Sequence, residues 1–162
     1  MPRTSTTLGR SLAGAAAGLA ATVPMTAAMA RLHRELPFHE KRPLPPRRIT
    51  MRAAKAIGVK HRLDEPEKTG LTLAAHFSYG TAAGVLFGLL APKRAGEAVP
   101  AGIGFGLLVW SASYLGLMPA LGLHPPATRD TFRRNALMIA AHVVWGASLG
   151  ALAAPLRRAI EK

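Results

Sequence analysis

Two stretches of the chain are spelled alike. Leu73 to Pro92 reads LAAHFSYGTAAGVLFGLLAP and Ala140 to Pro155 reads AAHVVWGASLGALAAP, so A-A-H-x-x-(Tyr or Trp)-G-x-x-x-G occurs twice, 66 positions apart. His76 and His142 are the residues of these stretches that can exchange a proton near neutral pH, and their surroundings are apolar. Such a pair has several roles open to it. Facing imidazoles can ligate haem iron axially. With an unperturbed pKa of about 6.5 they can carry protons. They can bind a small polar ligand in a cavity between helices. The structural alternative is that each ring hydrogen-bonds a neighbouring helix or a serine, Ser111 or Ser113, and so holds a bundle together. Histidine can stay neutral, so it is the least costly ionisable residue to bury, and the structural role is the leading expectation. A proton or ligand role ranks second and haem third.

Other chemistry is poorly supplied. No G-x-S-x-G elbow, H-E-x-x-H, Walker loop or carboxylate pair occurs, so no catalytic residue is assigned. The chain has no cysteine, which excludes disulfides, thiolate metal sites, iron–sulfur clusters and covalently attached haem. His33, His39 and His61 sit among cations without metal-ligand spacing, so no metal and no resident cofactor are expected.

The elements that position the histidines follow from where charge is missing. The chain has 162 residues, 49% of them apolar, and a formal net charge of +13. The charges are segregated. Ser11–Ala30, Gly70–Ala91, Ala98–Leu123 and Ala136–Leu156 contain no Lys, Arg, Asp or Glu. Each run is long enough to cross roughly 30 Å of hydrocarbon as a helix. The expectation is an all-α integral membrane protein, a single domain over 1–162 with four transmembrane helices at about 11–30, 70–91, 98–123 and 136–156. No aromatic-interleaved basic stretch accompanies the charge, so no nucleic-acid partner is expected.

The first run, with a small-x-small site at Ala28 and Ala30, has the look of a signal peptide. A retained helix is preferred, because cleavage would leave a strongly basic loop outside. Pro24 is expected to kink it, with Thr22 or Thr26 satisfying a freed backbone group. The segment 31–69 begins with prolines that forbid regular helix. Arg47–Leu63 then allows an amphipathic helix with Ile49, Ala53, Ala56 and Ile57 on one face. Arg47, Arg48, Arg52 and Lys55 are its candidates for anionic lipid headgroups, each cation worth on the order of 1 kcal/mol at a membrane surface. The rival reading is an ordinary solvated helix. Asp64, Glu65 and Glu67 read as a cap and a surface patch. Trp110 and Tyr114 lie mid-run and are expected to pack between helices. Pro119 ends or kinks the third helix, and Thr128 or Asp130 is expected to cap the fourth.

Of the 21 Lys and Arg, 14 lie in the first and third loops, which face one side. The positive-inside rule then places both termini outside and the long basic loop, 31–69, in the cytoplasm. Every span carries a G-x-x-x-G: Gly14 and Gly18; Gly80, Gly84 and Gly88; Gly102 and Gly106; Gly146 and Gly150. These are the expected helix-packing positions. The shared spellings predict two helical hairpins related as a parallel repeat, with both histidines at one depth. Glycine ridges left over on the bundle would serve a homo-oligomer.

LPPR at Leu44–Arg47, LGLHPP at Leu121–Pro126 and H-V-V-W at His142–Trp145 carry a resemblance. They resemble the YagU-like family of small bacterial inner-membrane proteins, in which a first membrane helix precedes P-L-P-P-R, a later helix ends in G-L-x-P-P and the last carries H-x-V-W. The order matches over most of this chain. The resemblance implies a multi-pass protein of the bacterial inner membrane and supplies no catalytic residues. The functional expectation is a structural, interaction or membrane-homeostasis role. A small permease or proton conductor using His76 and His142 is the first alternative, and a b-type haem protein the second.

Overall fold

The computed structural model describes residues 6–92 and 95–160, and among them there are helices and no strand. Helix α1 spans Thr7–Arg34, α2 Pro45–Ala56 and α3 Glu65–Leu90. Helix α4 runs over Ala95–Ser111 and continues through a π-helical turn, Ala112–Leu117, and a last α-helical turn, Met118–Ala120. Helix α5 spans Phe132–Ile160. Four of these (with α4 taken through its last turn) are long and apolar enough to span a membrane. Leu12, Leu19, Val23, Leu86, Leu107 and Leu108 stand exposed on the outside of the bundle, where hydrocarbon rather than water is their natural solvent.

The helices run past the charge-free segments because capping, not hydropathy, sets their ends. Thr6 accepts the Gly9 N–H at 3.0 Å and starts α1. Asp64 and Glu67 form a reciprocal capping box at 2.8 Å that starts α3. Arg10 lies inside α1 and caps the C-terminal end of α3 by donating to the carbonyls of Gly88 (3.1 Å), Leu89 and Ala91 (3.4 Å). A cation suits that negative helix end. The expected threonine repair at Pro24 is not made. Thr22 donates to Gly18 O and Thr26 to Thr22 O, each at 2.7 Å, and neither reaches the carbonyl of Ala20.

Helix α2 begins earlier than expected, since prolines at its first two positions lack N–H groups that a helix start leaves unused anyway. It ends at Gly58, whose φ of 78° is left-handed. Its inward face also differs. Pro45, Thr50 and Ala54 are buried, whereas Ala53, Ala56 and Ile57 point out.

In cross-section the spans follow the order α3, α1, α5, α4; α1 packs on α3 and α5, α4 packs on α5, and α3 and α4 scarcely touch. The nine packing glycines are buried inside these pairs. A Cβ on Gly84 would stand 2.7 Å from Gly18 Cα, and one on Gly150 2.8 Å from Val99 Cα. Backbones here are in direct contact, which only glycine permits.

On the α2 side the first turn of α5 is tied to the proline-rich segment. Arg134 is 3% exposed. Its guanidinium donates to Asp130 Oδ2 (3.1 Å) and to the carbonyls of Glu40 (2.8 Å), Arg42 (3.1 Å) and Pro43 (3.3 Å). Thr131 Oγ1 donates to Glu40 Oε2 at 2.6 Å and accepts the Arg134 N–H at 3.4 Å, so Thr131 caps α5, rather than Thr128 or Asp130.

Candidate functional site

Because α3 and α4 do not close on each other, the bundle keeps a cavity of about 220 Å³ with walls from α1, α3, α4 and α5 and a lid formed by Pro46, Ile49 and Thr50 of α2. His76, His142 and Ser113 all line it. The two spelled-alike stretches therefore do bring their histidines to one place. Ser111 is not part of it. Its hydroxyl donates to Leu108 O at 3.0 Å, one turn back on its own helix.

The His142 ring is 95% buried by its 5% exposure, and its Nδ1 bonds Met138 O at 2.7 Å. A carbonyl only accepts, so Nδ1 carries the hydrogen and, in the neutral ring, Nε2 is a bare acceptor. No described residue hydrogen-bonds that Nε2. His76 Nε2 is buried without a partner. Neither histidine bonds a neighbouring helix or a serine, so the cross-helix bonds of the structural reading are absent among the described residues. The reason is geometric. The π-helical turn carries Ser113 to Tyr79, whose hydroxyl it meets at 2.7 Å, the polar bridge from α3 to α4.

Three aromatic features frame the site. Tyr114 is buried between two histidines, edge-on to His142 (6.0 Å) and to His124 (5.7 Å). Trp110 is partly buried against the core and Tyr114 lies within it, as mid-run aromatics should. Away from α2, the rings of Phe87, Phe105 and Trp145 follow one another at 5.4 and 6.1 Å, and Trp145 lines the cavity. Below them, beside the glycine contacts, lies a separate recess of about 10 Å³.

The headgroup candidates divide. Arg47 pairs with Glu65 at 2.5 Å and with Thr69 Oγ1 at 3.2 Å, and Arg52 donates to Gly122 O at 3.0 Å. Arg48 is half-buried and Lys55 fully out in the open. Tyr79 and Thr50 are polar wall residues to which the sequence reading gives no role, and Thr22 and Tyr114, read there for backbone repair and packing, line the cavity as well. The aromatic position shared by the two stretches is the one signal that marks Tyr79 and Trp145.

No curated protein and no solved structure matches the chain significantly. Residues 41–151, well over half of the chain, match one family; the matched stretch holds α2, both histidines and the Arg134 tie, and leaves out α1. With that match, the chain belongs to the family described as a protein of unknown function (DUF1440).

Proposed function

We propose that this protein binds a small amphipathic ligand inside the bilayer, in the cavity beneath α2, with His142 Nε2 accepting a hydroxyl or N–H of the ligand. The single observation that carries the reading is the His142 tautomer, held by Met138 O at 2.7 Å with its acceptor left open. A donor on a ligand would add a hydrogen bond at that acceptor, worth about 1 kcal/mol. Met25, Met118 and Met138 in the walls suit an apolar body. The size, about 220 Å³, fits a ligand smaller than the roughly 300 Å³ at which drug-sized pockets begin. The loose α3–α4 seam, bridged by Tyr79 and Ser113, is the route from the membrane.

The aromatic cluster packed behind Trp145 favours a one-sided pocket over a conduction path, which needs a second opening. The wider reading is a multi-pass protein of the bacterial inner membrane with α2 on the cytoplasmic face, in keeping with the basic loop and the YagU-like motifs. Within it the two glycine-packed pairs, α1 with α3 and α4 with α5, are taken as a repeated hairpin. A homo-oligomer would use α4, whose Gly104 and Gly116 have open space around them.

The test is mass spectrometry of small molecules released from protein purified in mild detergent, with a visible spectrum of the same sample. Wild type should release one dominant species that His142→Ala loses at least about tenfold, the loss of one good hydrogen bond. Equal yields from both would refute the reading. A Soret band lost in the variant would point to haem, and proton flux in proteoliposomes abolished by His76→Ala/His142→Ala would point to conduction.

A further inference from the structure

The face of α2 turned from the cavity gathers positive charge that the chain does not balance. Arg48 and Arg52 are one turn apart on this helix. Arg52 donates to Gly122 O at 3.0 Å, which presses that face onto the turn carrying His124. His124 is 3% exposed, its Nδ1 bonds Pro125 O at 2.7 Å, and its Nε2 is buried without a hydrogen bond. Asp130 is divided between Arg42 and Arg134, each at 3.1 Å. Arg48 has no ion pair or hydrogen bond from its side chain to any described residue.

Electrostatics follow the geometry. Burial lowers the pKa of Arg48, the charges of Arg134, Arg42 and Arg52 lower it further, and Asp130 alone opposes them. At His124 burial again leads and lowers the pKa; the Pro125 bond and Asp130 raise it, and Arg48 and Arg52 lower it. Four guanidinium groups, set against the carboxylates of Asp130 and Glu40, thus lie beside a buried imidazole nitrogen with nothing to bond. An anion between α2 and the Gly122–Pro126 turn would answer both. Arginine forks suit phosphate oxygens, and with α2 on the membrane face, as in the proposed function, the site would lie at headgroup level.

We propose that Arg48, Arg52 and His124 form a binding site for a phosphate group, separate from the cavity. A phospholipid headgroup and free phosphate share this chemistry. With the phosphate seated, both arginines donate to its oxygens and His124 Nε2 takes the remaining one as a donor, its second proton drawn on by the anion's charge.

Native mass spectrometry of the full chain in mild detergent tests the site, with phosphatidylglycerol, phosphatidylcholine and inorganic phosphate as separate probes. The expected result is a one-to-one phosphatidylglycerol adduct. It should weaken about tenfold in Arg48→Gln, the loss of one charge-assisted contact, and less in Arg48→Lys. Lys55→Gln, which changes an exposed cation of the same helix without a bond to the Gly122–Pro126 turn, should retain the adduct. Circular dichroism of each variant separates lost binding from lost fold, and His124→Phe, which keeps the packing against Tyr114, provides a second probe of the site. An adduct with inorganic phosphate that obeys the same variants and excludes the lipid supports the site and assigns it to free phosphate. Equal loss in Lys55→Gln, equal retention of phosphatidylcholine, or no adduct with any probe would overturn it.

Discussion

The two halves of this bundle use the same helices and hold together in opposite ways. In the half away from α2, glycines put backbone against backbone, α1 on α3 and α4 on α5, and almost no space remains. In the half beneath α2, Gly80 meets the Thr22 side chain instead of a backbone, α3 and α4 stand apart, and a cavity of about 220 Å³ opens. The lesson is that a small membrane bundle can keep an internal hollow if its closed half is packed tightly and its open half is tied from outside. The tie is Arg134, whose guanidinium gathers Asp130 and three carbonyls of the proline-rich segment.

The sharpest way to break this contrast is to cut the tie. Arg134→Ala leaves buried carbonyls and Asp130 without their donor and should cost about 3–5 kcal/mol, the usual cost of breaking a buried ion pair. Titration of the protein from mild detergent into dodecyl sulfate, followed by helicity, measures it. Arg134→Lys should recover little, since one ammonium does not reproduce a planar fork. A loss below about 1 kcal/mol, the range of exposed ion pairs, would mean that the open half holds itself together by packing.

The next probe acts on the closed half. A methyl at Gly84 would stand 2.7 Å from Gly18 Cα, whereas Gly104 has nothing within 4 Å. Gly84→Ala should therefore cost about 1–3 kcal/mol as overpacking, while Gly104→Ala should be neutral or gain up to about 1 kcal/mol from helix propensity. The same titration compares them, and equal outcomes would remove the backbone contact as the organising feature.

What could be read ahead of the structure divides along the same line. The closed half was legible, because G-x-x-x-G and the charge-free runs are local spellings and the chemistry they express, close approach and lipid solubility, needs no distant partner. The repeated spelling singled out His76 and His142, and both line the one cavity. The open half was not. Arg133 and Arg134 look alike in sequence, yet Arg134 is buried by acceptors as many as 94 positions away. The π-helical turn has no spelling of its own, although it decides that Ser113, rather than Ser111, meets α3. The inward face of α2 is set by the helix ends it covers, so Thr50 is buried and Ile57 is 75% exposed, against the hydrophobic pattern.

A smaller effect should appear with pH. Burial would raise the pKa of Asp130, but the bonds from Arg134 and the Thr131 N–H and the charges of Arg134 and Arg42 bring it below the ordinary carboxylate value. A pKa depressed in the folded state gives stability that is fully present above the unfolded value, about 3.9, and is lost as pH falls through the folded one. Unfolding titrations should thus be flat above about pH 5 and weaken below about pH 4. Asp130→Asn should lower stability at neutral pH and remove that part of the acid dependence. An unchanged acid limb would assign it to other carboxylates.

The smallest effect is the most discriminating, because it uses adjacent residues. Ala83 lines the cavity, and Gly84 meets the backbone of α1. Ala83→Val adds two methyl groups into open space, so its cost should stay within about 1 kcal/mol, below that of the single methyl at Gly84. It should also displace the ligand proposed for the cavity, since the added volume is taken from that space. If Ala83→Val instead costs as much as Gly84→Ala, the hollow is already filled by the surrounding side chains in the membrane, and the division of the bundle into a closed and an open half fails at the residue where the two meet.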